Sequence, residues 1–234
     1  MKKGKLIYEG KAKKVYDTDN RDLLIQEFKD DATAFDATKR GLIKGKGVIN
    51  NKVSSKLFEL LEKKGVDTHF VKQLSDNEML IKRLSIIPVE VTMRNVVAGG
   101  MAKSLGLEEG IILDEPVLEY HYKNDSLHDP LVNDYHIKAL RIATDEQLRV
   151  IRKKTFEVNN ILKRFFTSKG LDLVDFKLEF GTHKGEILLG DEISPDTCRF
   201  WDSKTKEKLD KDRFRRDLGG VEAAYEEILR RVFS

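Results

Sequence analysis

Residues 171–192 contain two runs of apolar and polar side chains on either side of a short polar segment. The first run is Leu173-Val-Asp-Phe-Lys-Leu-Glu-Phe-Gly181, and the second is Glu186-Ile-Leu-Leu-Gly-Asp-Glu192. Successive side chains of a strand point to opposite faces of a sheet. The pattern therefore predicts an antiparallel hairpin with one apolar side that faces the core. That side consists of Val174, Phe176, Leu178 and Phe180.

The opposite side of this hairpin is charged. Asp175, Lys177 and Glu179 alternate with the apolar residues of the first strand, and Asp191 follows the second strand. Proteins hold Mg²⁺ with one or two carboxylates plus nucleotide phosphates, and Glu179 and Asp191 could supply the carboxylates. A solvent-facing strand with cross-strand ion pairs explains the same charges. The spacing alone leaves these two interpretations nearly even.

The length of the connecting loop sets the register of the two strands. A three-residue loop over residues 183–185, with glycine in the left-handed position, would set Lys177 opposite Asp191 and Glu179 opposite Leu189. In that register we expect three carboxylates and one lysine to lie close together on the charged side.

The rest of the chain alternates strand patterns with helical ones. Short apolar runs bounded by turn residues predict strands at 6–8, 13–17, 23–28, 68–74 and 78–84. Helical spacing covers residues 49–61, with Gly65 as the C-terminal cap, and residues 148–165 after a Thr144/Gln147 capping box. A third amphipathic helix is predicted from residue 212 to 232. These elements predict an α+β fold, with a β-rich lobe over 1–84 and a larger mixed lobe over 85–234.

The charge balance argues against a nucleic-acid partner. The chain has 43 Lys and Arg against 40 Asp and Glu, a net charge of +3, and the two signs alternate along the sequence. A membrane span is not expected either, because no apolar run is long enough. The single cysteine, Cys198, cannot form an internal disulfide, so a cytoplasmic protein is expected and the thiol is predicted to be buried and structural.

Five motifs, in order along the chain, resemble those of the SAICAR synthetase (phosphoribosylaminoimidazole-succinocarboxamide synthase) family. They are Gly-Lys-Ala-Lys at 10–13, Ile-Ile-Pro-Val-Glu-Val-Thr-Met-Arg-Asn-Val-Val-Ala-Gly at 86–99, Lys-Asn-Asp-Ser-Leu-His-Asp-Pro at 123–130, the strand at 173–181 and Asp-Glu-Ile-Ser-Pro-Asp-Thr-Cys-Arg at 191–199. One residue departs from the family pattern, since Gly100 stands where the family has a serine that helps to hold the substrate phosphate. A glycine amide in a loop can still donate a hydrogen bond to phosphate.

The resemblance implies a SAICAR synthetase-like two-lobed fold with ATP in the cleft. It implies that the chain uses ATP to join the carboxylate of carboxyaminoimidazole ribonucleotide (CAIR) to L-aspartate, giving SAICAR, ADP and phosphate in de novo purine biosynthesis. Mg²⁺ is the implied cofactor. The implied partners are the small molecules ATP, CAIR and L-aspartate, together with a second copy of the chain in a homodimer.

The resemblance also implies roles for individual residues. The nucleotide is expected to contact Lys11, Ala12, Lys13, Lys82, Leu84 and Lys123. CAIR is expected to contact Arg94, Gly100, Asp175 and Arg199, with Lys177 and Asp129 at the reacting centre. Glu179 and Asp191 are expected to hold Mg²⁺.

Structural explanations compete at several of these positions. Residues 8–16 lack the Walker A spacing and also suit an ordinary basic hairpin. Glu90 and Arg94 could form a buried pair with each other. His128 is expected only to orient a turn, residues 30–36 could be a solvated loop, and residues 212–215 could be a helix cap with solvated arginines.

Two other functions compete with that of a ligase. A kinase-like phosphotransferase predicts a His-Arg-Asp loop and an Asp-Phe-Gly triplet, and neither occurs in the sequence. A nucleotide-binding module without catalytic activity is favoured only by Gly100.

Overall fold

A computed structural model describes residues 2–34 and 38–234. The N-terminal part forms a five-stranded antiparallel sheet. Its strands, in spatial order, are β1 (Lys3–Glu9), β2 (Lys13–Thr18), β3 (Leu23–Phe28), β7 (Glu78–Lys82) and β6 (Phe70–Gln73). A separate two-stranded ribbon consists of β4 (Asp31–Ala34) and β5 (Lys39–Leu42). The strands predicted in this region are confirmed.

A second antiparallel sheet follows. In spatial order it contains β10 (Leu131–Val132), β9 (Ile112–Tyr122), β8 (Ser85–Val96), β11 (Leu171–His183) and β12 (Glu186–Leu189). A further strand, β13 (Cys198–Asp202), pairs with the first half of β11, so β11 has neighbours on both edges along its length. A 3₁₀ turn spans Asp125–Leu127.

The helices pack against these sheets. They are α1 (Lys46–Lys63), α2 (Gly99–Leu105), α3 (Asp134–Ala139), α4 (Asp145–Ser168), α5 (Asp212–Arg215) and α6 (Val221–Phe233). The start of α4 is the predicted capping box: Thr144 Oγ1 accepts the Gln147 amide at 3.1 Å, and Gln147 Oε1 accepts the Thr144 amide at 2.8 Å. Gly65, with φ of 87°, follows the end of α1 as predicted. None of the helices in the described ranges is long and apolar enough to cross a membrane.

One hydrophobic core joins the two sheets. It includes Phe28 and Met79 from the first sheet, Val91 and Phe176 from the second, and Leu57 from α1 between them. Phe176, Leu178 and Phe180, which were predicted for the inward side of β11, belong to this core and are at most 1% exposed. Val174 was predicted for the same side, but it is buried in a second cluster with Val96, Ala98 and Trp201, at a bulge in the pairing of β11 with β13. The α+β fold class is therefore confirmed.

The predicted register of the β11–β12 hairpin was wrong by one residue. His183 pairs with Glu186 and Phe180 with Leu189, so the loop contains only Lys184 and Gly185. Both loop residues have positive φ, 51° and 90°, which gives the tight two-residue turn whose twist matches the flanking strands. A lysine in this conformation carries no recognisable sequence signal, and the longer loop was predicted for that reason.

The corrected register changes the partners of the charged residues. The Gly190 amide donates to Glu179 O at 2.9 Å, so Glu179 lies opposite Gly190 rather than Leu189. The Lys177 amide donates to Thr197 O at 3.0 Å, so Lys177 does not pair with Asp191.

The C-terminal helix is also not continuous as predicted. The short α5 and the longer α6 are separated by Asp217, Gly219 and Gly220, which have φ of 54°, 70° and 59°. Left-handed residues end a right-handed helix. The apolar spacing runs through this break, which explains why periodicity alone predicted one helix.

Candidate active site

A cleft of about 1130 Å³ lies between the two sheets. Its first-sheet wall includes the β1–β2 turn with Lys11, Ala12 and Lys13, and the end of β7 with Lys82 and Leu84. Its second-sheet wall includes Lys123, Asp129, Lys177, Glu179 and Asp191. The structure thus brings into one cavity every residue predicted to contact the nucleotide, the metal or the reacting centre.

Two carboxylates from the β11–β12 hairpin region face lysines in this cleft. Glu179 Oε1 accepts from Lys123 Nζ at 2.6 Å, and Asp191 forms an ion pair with Lys13. Lys13 also lies 3.2 Å from Glu192 Oε1. Because Lys13 comes from the first sheet and Asp191 from the second, this ion pair bridges the cleft.

The two carboxylates differ in pKa, because the nearby lysines outweigh burial at Asp191 but not at Glu179. Burial, with the nearby charge of Asp191, raises the pKa of Glu179 above its usual range. Burial would raise the pKa of Asp191 as well, but the ammonium groups of Lys13 and Lys177 outweigh it and hold that pKa below its usual value. Two acidic groups so close to each other make a position where additional positive charge is stabilised.

Lys177 and Lys123 of the cleft stay charged at neutral pH. Partial burial of Lys177 favours the neutral amine, but the carboxylates of Glu90, Asp191 and Glu179 outweigh it and raise the pKa of Lys177. Lys177 Nζ donates to Glu90 Oε2 at 2.6 Å. The pKa of Lys123 is raised in the same way, against its burial, mainly by Glu179. These lysines can neutralise bound anions, but they are poor general bases.

The donor set suits a small hard cation that also binds phosphate. In the described parts of the chain no group of three or more His, Cys, Asp or Glu side chains forms a metal site. Glu179 and Asp191 offer two carboxylates in an open cleft, which is the number that Mg²⁺ takes when phosphate oxygens and water complete its shell. The residues present therefore fit Mg²⁺ carried in with a nucleotide.

A smaller pocket of about 210 Å³ adjoins the cleft and shares Glu90, Lys177 and Arg215 with it. Strand register places three charged residues in a row across its floor, because Asp175 of β11 lies opposite Arg94 of β8 and Arg199 of β13. Asp175 Oδ2 accepts from Arg94 Nη1 at 2.7 Å and from Arg199 Nη1 at 2.8 Å. Two guanidinium groups thus face one small cavity.

Gly99 and Gly100 lie against these arginines. A Cβ atom on Gly99 would come within 2.5 Å of Arg199 Nη2, and its φ of 54° also favours glycine. A Cβ atom on Gly100 would stand 3.7 Å from Arg94 Nη2, in ordinary contact. The four residues predicted to bind CAIR, Arg94, Gly100, Asp175 and Arg199, are therefore neighbours.

Several competing interpretations can now be decided. Glu90 and Arg94 do not pair with each other, since Glu90 pairs with Lys177 and Arg94 with Glu119 and Asp175. Asp129 Oδ1 accepts the Asn124 amide at 2.7 Å, so this carboxylate orients its own turn while lining the cleft. The cysteine thiol is buried as predicted, and burial raises its pKa.

Positions 30–36 are described only in part. Asp30 accepts the Gly45 and Gly47 amides at 3.0 and 2.8 Å, which holds the start of α1. Asp31 and Ala34 line the cleft, so this segment is more than a solvated loop. Phe35 and Asp36 lie outside the described residues.

Arg215 and Asp196 were not predicted to take part in the site. The sequence left open whether residues 212–215 form only a helix cap with solvated arginines. In the structure Arg215 lines both cavities and donates to Asp212 Oδ1 at 2.6 Å. Asp196 also lines both, and it accepts from Lys46 Nζ at 2.8 Å and from Tyr225 Oη at 2.6 Å. Asp196 falls inside the motif at 191–199, which was the available signal, whereas no pattern marked Arg215.

Comparison with known proteins identifies the relatives of this chain. A sequence model of the SAICAR synthetase family matches residues 6–232. The phosphoribosylaminoimidazole-succinocarboxamide synthase of Caldanaerobacter subterraneus subsp. tengcongensis is 62% identical over 232 residues, which is 99% of each chain.

Two solved structures share the fold closely. The crystal structure of the Ehrlichia chaffeensis enzyme of the same name superposes with a TM-score of 0.95 at 44% identity, covering 97% of this chain and 98% of the other. A SAICAR synthetase in complex with ADP superposes with a TM-score of 0.93 at 54% identity, covering 96% of each chain.

Proposed function

The chain belongs to the SAICAR synthetase family, and we propose that ATP, bound with Mg²⁺, reacts with the imidazole nucleotide in the cleft between its two sheets. The enzyme is an ATP-dependent carbon–nitrogen ligase of purine biosynthesis, which joins the carboxylate of CAIR to the amine of L-aspartate. Its products are SAICAR, ADP and phosphate.

One observation carries the proposal: Glu179 and Asp191 meet in a cleft that also presents Lys13 from the opposite sheet. The repulsion between the two carboxylates is relieved by a divalent cation, and the lysine is placed to contact the phosphates that accompany it. A related SAICAR synthetase solved with ADP supports a nucleotide in this fold.

ATP is required because a carboxylate is a poor electrophile. Its negative charge repels the aspartate amine, and it has no good leaving group. Transfer of the γ-phosphoryl group to the CAIR carboxylate gives an acyl phosphate, and attack by the amine then releases phosphate. Such chemistry depends on positioning and charge neutralisation, so it needs no protein nucleophile.

We assign the nucleotide to the first-sheet wall of the cleft. Lys11 and Lys13, with the Ala12 backbone, would contact the phosphates from the β1–β2 turn, and Lys123 would reach them from the facing wall. The adenine would lie near Lys82 and Leu84, where backbone groups can contact its edge. Mg²⁺ held by Glu179 and Asp191 would neutralise charge on the transferring phosphoryl group.

We assign CAIR to the smaller pocket and its junction with the cleft. Arg94 and Arg199 would hold the phosphate of CAIR beside Gly100, since one guanidinium group can donate two parallel hydrogen bonds to two oxygens of a phosphate. Asp175 keeps the two guanidinium groups together. Lys177 and Asp129, which line the cleft, would position the carboxylate that is activated.

Two further proposals concern the setting of the enzyme. We propose that it works in the cytoplasm, which agrees with Cys198 being a free thiol. We also propose a homodimer, and sedimentation equilibrium should then give twice the chain mass of 26.9 kDa. A monomer at micromolar concentration would contradict the dimer without affecting the assignment of the cleft.

A coupled assay of ADP release tests the proposed function. We expect sustained ADP release only when CAIR and L-aspartate are both present, because without aspartate the acyl phosphate is not consumed and turnover stops. Sustained ADP release that does not depend on aspartate would indicate a phosphotransferase. Nucleotide binding without turnover under any combination of substrates would indicate a binding module.

A further inference from the structure

We propose that Glu119 and Asp212 are positioning residues for CAIR. They orient Arg94 and Arg199 from the side of these arginines that faces away from the smaller pocket. The proposal rests on the proposed function, because it takes that pocket as the site of the substrate phosphate. Neither carboxylate lines the pocket or the cleft, whereas both arginines line the pocket. Glu119 contacts two residues that line the pocket, Arg94 and His121, with His121 Nε2 3.5 Å from Glu119 Oε2. Asp212 contacts Arg199 and Arg215, which also line it. Any effect of either carboxylate on CAIR must therefore pass through these neighbours.

Glu119 fixes the plane of the Arg94 guanidinium. Its Oε2 atom accepts from Arg94 Nε at 2.9 Å and from Nη2 at 2.8 Å. Asp175 takes the remaining terminal nitrogen, Nη1, at 2.7 Å. Because the planar guanidinium group is hydrogen-bonded along both of its edges, it is fixed in one orientation, in which Nη2 lies beside Gly100. The arginine is therefore already oriented before any ligand arrives.

Asp212 has the same relation to Arg199 on the other side of Asp175. Asp212 Oδ2 accepts from Arg199 Nε at 3.0 Å, while Arg199 Nη1 donates to Asp175. Asp212 Oδ1 also accepts from Arg215 at 2.6 Å, so one carboxylate orients two arginines that line the pocket. The structure is thus a row of alternating charges: Glu119, Arg94, Asp175, Arg199, Asp212, Arg215.

Asp212 is itself held in place. Its backbone amide donates to Asp210 Oδ1 at 2.7 Å, and Asp210 Oδ2 accepts the Phe200 amide at 2.8 Å. Asp210 therefore ties the start of α5 to β13, the strand that carries Arg199. The two hydrogen bonds from backbone amides to Asp210 therefore hold Asp212 at a fixed distance from Arg199.

The energetic consequence falls on binding of the substrate phosphate. If the arginine becomes ordered only when the substrate binds, its loss of rotamer entropy makes the free energy of binding less favourable. An arginine that is already ordered in the free enzyme does not lose this entropy on binding. Removing Glu119 or Asp212 should therefore lower the affinity for the substrate phosphate. The affinity for the nucleotide should not change.

The test compares Glu119→Gln, Asp212→Asn and a matched control, Asp202→Asn. Asp202 ends the same strand as Arg199 and forms a comparable ion pair with Arg231 at 2.6 Å, but it lines neither cavity. For each protein the KM for CAIR, kcat and the Kd for ADP are measured together with the Tm.

We expect each of the two test variants to raise the KM for CAIR on the order of tenfold, the scale of a charge-assisted hydrogen bond. The Kd for ADP should stay within about twofold, and kcat at saturating CAIR should change much less than the KM, because the arginines hold the substrate rather than the reacting atoms. The control should lower the Tm without changing the KM for CAIR.

An unchanged KM for CAIR in folded Glu119→Gln would overturn the proposal, as would a parallel loss of CAIR and ADP binding. If Asp212→Asn does not fold, Glu119→Gln decides alone, because Glu119 lies on β9 and Asp212 on α5. Wild-type protein that releases ADP without CAIR or aspartate would instead overturn the proposed function.

Discussion

At the scale of single residues, the side chains of the site are arranged by their charges, and no protein nucleophile is needed. Asp175 shows which part of this arrangement the sequence could predict and which part it could not. Its alternation with apolar neighbours placed it on the polar side of β11. Its two arginine partners come from strands far apart in sequence, and only the pairing of β8, β11 and β13 brings them together.

Replacing Glu179 with glutamine should separate activity from stability. The raised pKa of Glu179 means that its ionised form is disfavoured in the folded protein, first by burial and then by Asp191. A neutral amide should therefore cost little stability, while turnover with Mg²⁺·ATP should fall on the order of 100-fold. Steady-state kinetics and a thermal melt measure the two effects.

The exposed Glu186 of the same hairpin provides the control. Glu186→Gln should leave both turnover and Tm close to the wild type. Equal losses of turnover and stability in Glu179→Gln would assign that carboxylate a structural role.

Asp210 should make stability depend on pH. Burial and the neighbouring Asp212 raise the pKa of Asp210 from 3.8 to about 7 in the folded protein. Between about pH 4 and pH 7 the unfolded chain loses this proton and the folded protein keeps it, so stability falls as pH rises through that window. The slope is at most about 1.4 kcal/mol per pH unit for one proton.

Urea denaturation of wild type and Asp210→Asn from pH 4 to pH 8 measures this dependence. The difference in unfolding free energy between the two proteins should change across the window and level off above pH 7. A constant difference would show that Asp210 is ionised throughout.

At the scale of elements, local patterns predicted where strands and helices form but not how the chain turns between them. Two-residue alternation identified β11, and the Thr144/Gln147 pair identified the start of α4. The β11–β12 turn was missed because Lys184 adopts a conformation that lysine seldom favours. The end of α5 was missed because the Gly219–Gly220 break, which separates α5 from α6, lies inside a regular apolar pattern.

Lys184→Asn should stabilise the protein. Lys184 has φ of 51°, and asparagine tolerates this left-handed region better than lysine does. Asparagine followed by glycine is also the favoured pair in two-residue hairpin loops. The exposed ion pair between Lys184 and Asp22 contributes little, so a gain of about 0.5–1 kcal/mol is expected in urea denaturation. A loss of stability would argue for the longer loop.

At the scale of the whole molecule, one core supports a site built from two sheets. The division into lobes at residue 84 stays a prediction, because the hydrophobic cluster continues across it. Backbone contacts reinforce the connection, since the His69 amide donates to Leu189 O at 2.8 Å and the Leu189 amide donates to Asp67 O at 3.1 Å. The cleft can therefore hold ligands between walls whose relative position is fixed by shared packing.

Continuous packing predicts cooperative unfolding. The single tryptophan, Trp201, lies on β13 in the second sheet, so its fluorescence reports on that sheet, while far-UV circular dichroism reports on the whole chain. Thermal melts followed by the two probes should have the same midpoint. Separate midpoints would mean that the two sheets unfold independently.

Diffraction from crystals grown with Mn²⁺ and a non-hydrolysable ATP analogue tests whether Glu179 and Asp191 hold the metal, because the anomalous signal locates Mn²⁺ in place of Mg²⁺. We expect a metal peak bonded to oxygens of both Glu179 and Asp191 and to a phosphate of the analogue. We also expect that Lys13 and Lys123, which pair with these carboxylates in the structure, contact phosphate oxygens instead. A metal peak away from both carboxylates, with the two lysine pairs intact, would contradict this assignment of the metal.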